Sequence, residues 1–100
     1  MTREMKRSLR YVRRERAKLF AELLASEHNV TVEDILGRSR VVPLPSIRHE
    51  LMTRLHLTGM TLKDVGRALN MDHTSVLHGV RKTMGEEAYA AQSPGPGRAR

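Results

Sequence analysis

The chain has no cysteine and no tryptophan, only three aromatic residues (Tyr11, Phe20 and Tyr89), and no long apolar run. Each shortage excludes a class of function. Without thiols there is no disulfide, thiolate zinc site, iron–sulfur cluster or cysteine nucleophile. Three aromatics do not furnish the platform on which single-strand readers stack bases. The absence of any period-2 segment rich in β-branched and aromatic residues argues against a β fold. No apolar stretch approaches the roughly 18–20 residues of a bilayer span, and the charged N-terminus does not look like a secretory segment. A soluble cytoplasmic protein is expected. At 100 residues the chain holds one domain, with no room for an ATPase module or a second domain. It contains no glycine-rich loop ending in Gly-Lys-Ser/Thr, so no nucleotide and no other cofactor is expected.

What is plentiful is positive charge. Eighteen Lys and Arg against eleven Asp and Glu leave a formal charge of +7, an excess that attracts polyanions, nucleic acid above all. It is unevenly spread: residues 1–18 carry eight Lys/Arg and two Glu, residues 38–54 carry four Arg and one Glu, and residues 86–100 are neutral. A solvated helix face or a basic arm explains the first run as well as an interface does.

The pattern along the chain is helical. A first helix is expected over about 9–28, with Val12, Leu19, Phe20, Leu23 and Leu24 on one stripe and residues 1–8 frayed. His28-Asn29 ends it. Thr31 and Asp34 form a capping box for a short helix carrying Ile35 and Leu36, stopped by Gly37. Prolines 43 and 45 exclude a continuous helix over 38–45. Ser46 is the expected cap of a helix over about 47–58, and Thr61 that of a helix over 62–69. Asn70-Met71 makes a tight turn, Asp72 caps a helix from 73 to about 84, and 86–92 continues or follows it. Three segments result: a basic, partly helical extension over 1–16, a domain over 17–92, and a tail over 93–100 that is disordered by composition.

Residues 61–82, TLKDVGRALNMDHTSVLHGVRK, carry the functional signal. A short helix, a turn of a few residues and a helix opening on small polar side chains is the layout of a helix-turn-helix, whose second helix enters the major groove. His73, Thr74 and Ser75 offer donors, acceptors and a methyl group, while Val76, Leu77, Val80 and Met84 supply the buried side. Arg81 and Lys82, nearly two turns on, can reach a flanking phosphate. An ordinary helical hairpin in a small bundle fits the same pattern.

Asp72-His73-Thr74-Ser75-Val76-Leu77-His78, with Arg81-Lys82 at a fixed offset, resembles the signature of the DNA-binding domain of the bacterial replication initiator DnaA, Asp-His-Thr-Thr-Val-Leu-His then Arg-Lys. Thr61–Ala68 and Val30–Leu36 with Arg38-Ser39-Arg40 are similar to the family as well, so the resemblance spans roughly residues 17–84. It implies an all-α, compact bundle of about six helices, Trp-repressor-like, that binds double-stranded DNA. By that resemblance Asp72, His73, Thr74 and Ser75 read bases in the major groove, and Arg38 or Arg40 enters the minor groove. Lys63 meets phosphate at a helix start, and Arg48, Arg54, Thr61, Arg81 and Lys82 complete the expected phosphate contacts. Ser75 stands where the family has Thr. The turn Leu69-Asn70-Met71 is one residue short, and PLPSIR over 43–48 replaces the family's Arg-Pro-Arg-Gln. Such changes imply an altered recognition sequence.

No catalytic residue and no metal ligand is assigned, and an enzyme is not expected. His49-Glu50 opens like a zinc-protease helix motif, but position 53 is Thr. His78 is expected to pack or hydrogen-bond, His28 and His56 carry no readable signal, and the six methionines read as core fillers. The leading reading is a stand-alone regulator of transcription or replication initiation, bacterial or phage, associated with the nucleoid. Two others stand beside it. One is the DNA-recognition subunit of a larger machine such as a phage small terminase, self-associating through residues 1–20. The other is an adaptor binding RNA or a protein through its basic N-terminal helix.

Overall fold

A computed structural model describes residues 2–92; the expected tail, 93–100, lies outside them. Six helices and no strand occur among the described residues: α1 (Arg3–His28), α2 (Val32–Leu36), α3 (Leu44–Leu57), α4 (Leu62–Leu69), α5 (His73–Met84) and α6 (Glu86–Gln92). The fold is an all-α helix-turn-helix domain.

Local chemistry accounts for most boundaries. The Thr31 hydroxyl accepts the Asp34 N–H at 3.0 Å and the Asp34 carboxylate accepts the Thr31 N–H, the reciprocal box that opens α2. Thr61 opens α4 in the same way through the Asp64 N–H. Asn29 and Asn70 end α1 and α4 in the left-handed region at φ 57° and 56°, which asparagine tolerates better than most residues.

Three expectations need correction. Residues 3–8 are helical, since the Thr2 hydroxyl accepts the Met5 N–H at 3.2 Å and neither Gly nor Pro interrupts the run to His28. A domain boundary at 16 therefore falls inside one unbroken helix. Next, α3 starts at Leu44, not beyond Ser46. Pro45 sits in the first turn, where a missing N–H costs nothing, and the early start buries Leu44. Finally, α1 buries Ala17, Ala21, Leu24 and Ala25, with Phe20 partly covered, while Val12, Leu19 and Leu23 face solvent. The small alanines let α1 lie close on its neighbours.

Helix α3 is the hub, packed against α1, α2, α4 and α5. Its Ile47, Leu51, Met52 and Leu55 are buried with Leu24, Ile35, Val65, Val76 and Val80. At the α3–α5 crossing a Cβ on Gly79 would lie 2.6 Å from Met52 Sδ and 2.8 Å from His49 Cδ2. Gly85, at φ +90°, separates α5 from α6. Tyr89 then brings α6 back over the His56 ring and under the Arg81 guanidinium.

Candidate nucleic-acid interface

The turn between α4 and α5 is built on Gly66. Its carbonyl accepts the Met71 N–H at 2.7 Å, and its missing side chain makes room for the Met71 carbonyl, which a Cβ would approach to 2.6 Å. Val65 beneath it is fully buried. The turn is thus pressed onto α4, and the angle at which α5 leaves is set by packing.

Helix α5 divides cleanly. Val76, Gly79 and Val80 are buried, while Asp72, His73, Thr74 and Ser75 are exposed. Asp72 occupies the cap position, and its backbone carbonyl accepts the Ser75 and Val76 N–H groups. Contrary to the usual behaviour of a cap, its carboxylate makes no capping hydrogen bond. At 67% exposure it remains an acceptor pointed at solvent, 3.7 Å from His73 Nδ1. A free acceptor beside an imidazole and two hydroxyls is suited to the exocyclic amines and ring nitrogens of base edges.

Exposed cations flank this start. A shallow hollow is lined by Lys63, Arg67, Met71, Asp72 and His73, and Met71 also borders a second groove walled by Arg38, Arg40, Arg48 and His49. The loop arginines and the start of α5 therefore adjoin one surface. Arg67 was missed in the sequence, although it lies one turn from Lys63 on the same helix; it shares Asp64 with Arg13 of α1, at 3.7 and 3.5 Å. Lys63 and Lys82 are exposed and form no ion pair among the described residues.

Other expected phosphate contacts are engaged within the protein. Arg48 donates from Nε to the Ile35 carbonyl at 2.7 Å, from Nη2 to that of Asp34 at 2.8 Å, and from Nη1 to that of Ser39. It clamps the end of α2 to the loop that carries Arg38 and Arg40. Partial burial draws its pKa below the ordinary guanidinium value. Arg54 bridges Glu27 and Glu50 at 3.0 and 2.5 Å. Its hydrogen bond holds the Glu27 carboxyl below the usual range, and its own pKa is raised chiefly by Glu27. Glu27, His28 and Glu50 cluster there, with the guanidinium supplying the positive charge. Arg81 pairs with Glu86 at 3.3 Å, and the Thr61 hydroxyl caps α4.

The histidines separate by environment. His78 is exposed, with no hydrogen bond among the described residues. His56 donates from Nδ1 to the Met60 carbonyl at 2.9 Å and stacks on Tyr89, leaving Nε2 buried without a partner. His49 lies against Gly79, and burial, followed by the charges of Lys82, His78 and Arg48, holds its pKa below the ordinary 6.5. An unfolded chain takes up this proton first as pH falls. The His49 contribution is intact above about pH 6.5 and lost progressively below it, down to the depressed folded value. Denaturation midpoints between about pH 7.5 and 5.5 are expected to fall less in His49→Gln than in the parent chain; parallel slopes would contradict this account.

A family model described as the bacterial dnaA protein helix-turn-helix matches residues 19–83, well over half of the chain. No solved structure matches it.

Proposed function

The chain belongs to the bacterial DnaA helix-turn-helix family, and from that premise we propose that it binds duplex DNA sequence-specifically, with α5 in the major groove. The observation that carries the proposal is the opening of α5. There an uncommitted Asp72 carboxylate and the exposed His73, Thr74 and Ser75 stand over a buried Val76 and Val80. Asp72 accepts from a cytosine or adenine amine, His73 and Thr74 read neighbouring edges, and Ser75 provides a smaller contact. Arg38 or Arg40 enters the adjacent minor groove, and Lys63 and Lys82 hold phosphates. The role served is control of transcription or of replication at a specific site in the nucleoid, without a catalytic step. A DNA-recognition subunit of a larger assembly is the second reading, favoured by the apolar side chains that α1 leaves exposed.

Two titrations test the binding surface. Selection from random duplexes supplies the target. On it His73→Ala and Thr74→Ala should each cost about 1–3 kcal/mol, with little change on random DNA. Lys82→Ala should weaken both by similar factors. If the alanine variants at 73 and 74 keep the preference while Lys82→Ala abolishes it, α5 is not the reading helix. With Arg38, Arg40, Lys63 and Lys82 neutralising about four phosphates, log K should fall against log salt with a slope of about −3 to −4. A salt-insensitive complex would refute the basic surface, and a preference for single-stranded RNA would support the adaptor reading instead.

A further inference from the structure

Helix α1 carries two apolar stripes, and the domain uses only one. Ala17, Ala21, Leu24 and Ala25 face the core. Met5, Leu9, Val12, Leu19 and Leu23 are exposed, by 37% at Leu9 and up to 60% at Leu19. Their spacing is 4, 3, 7 and 4, with Arg16 completing an unbroken alternation of 4 and 3. At about 100° per residue these positions fall within about 40° of a common line, some 145° from the centre of the core stripe. A strict two-in-seven stripe so narrow is the seam of a coiled coil and narrower than a membrane-seated face. Arg16, the one polar residue in the register, turns aside to donate to the Thr58 hydroxyl at 3.3 Å.

We propose that this seam pairs antiparallel with α1 of a second copy of the chain. Charge at the two ends of the helix favours this orientation. Residues 3–18 carry eight cations and two acids, whereas residues 19–28 carry Glu22 and Glu27 and no Lys or Arg. Parallel pairing would set all eight cations of one copy beside those of the other; antiparallel pairing leaves residues 10–18 facing their counterparts but lays Arg3, Lys6 and Arg7 over the segment that holds Glu22. The spacing is self-complementary in that direction. Met5 meets Leu23 of the second copy, Leu9 meets its Leu19, and Val12 lies along the aliphatic stem of its Arg16. Exposed fractions of this size leave about 500 Å² on these five residues per copy, so a pair that buried all of it would cover about 1,000 Å², the size at which a specific interface begins. The segment 93–100 has no large apolar side chain with which to cover the seam. This pairing is independent of the DNA-binding proposal, since the seam holds none of the residues assigned to DNA.

Light scattering on the eluting chain at about 100 µM, where a modest interface is populated, is expected to give twice the 11.4 kDa monomer mass. Leu9→Glu/Leu19→Glu should halve that mass and retain the helical circular dichroism, because both side chains are exposed in the monomer. The cysteine-free background allows orientation to be read by cross-linking. Met5→Cys and Leu23→Cys should each remain unlinked alone and form a disulfide when mixed. A monomer at this concentration, a dimer that survives the double substitution, or linkage of Met5→Cys to itself would each overturn the proposal. So would a monomer that co-sediments with anionic phospholipid vesicles through the same leucines.

Discussion

Gly66→Ala is expected to lower stability by about 2–3 kcal/mol, through overpacking at a position that cannot relax locally. The added Cβ would lie 2.6 Å from the Met71 carbonyl oxygen, a backbone atom, and relief requires the turn to lift off α4. Lifting it stretches the 2.7 Å bond from the Met71 N–H to the Gly66 carbonyl and tilts the start of α5. Specific DNA affinity should therefore fall even under conditions where the variant remains folded. Gly79→Ala provides the comparison. Its Cβ would press on the Met52 sulfur and the His49 ring, both side-chain groups that can shift, and about 1 kcal/mol is expected. Urea denaturation and titration of the selected duplex measure both effects. A Gly66→Ala chain with the parent midpoint and affinity would show that the turn is not seated as described.

Arg48→Ala is expected to cost about 2–3 kcal/mol and to weaken DNA binding on every sequence alike. Three backbone carbonyls, those of Asp34, Ile35 and Ser39, lose their donor at once, and the loop holding Arg38 and Arg40 is released from α2. Arg48→Lys should recover little, because an ammonium group cannot span three acceptors as the planar guanidinium does. A direct phosphate contact predicts a different outcome: unchanged stability and a salt slope reduced by about 1. The denaturation midpoint distinguishes the two.

The contrast between Arg48 and Lys82 shows where sequence reading stops. Both are basic residues near the family-like segments, and nothing in composition separates them. Arg48 lies one turn into α3, facing the end of α2 across a short loop, where unpaired carbonyls gather; Lys82 projects from α5 into solvent. Arg54 was drawn to Glu27 and Glu50, 27 and 4 residues away, and the first of these partners is invisible to any local pattern. Likewise the leucines of α1 all satisfied a helical period, but the period admits two stripes. Which stripe faces inward depends on the helices packed against it, α2, α3 and α4.

By itself the sequence determined the helix ends at which a capping side chain or an asparagine decides, namely Thr31, Thr61, Asn29 and Asn70, and the helix-turn-helix with its exposed opening at residues 72–75. These are short-range properties, set by hydrogen bonds within four residues and by the alternation of apolar and polar side chains along one helix. The tertiary structure alone decided which cations are paired within the protein, which apolar face of α1 is left open, and how closely the turn sits on Gly66. Each of these depends on groups brought together from distant parts of the chain, where burial and competing partners choose among side chains that are locally equivalent.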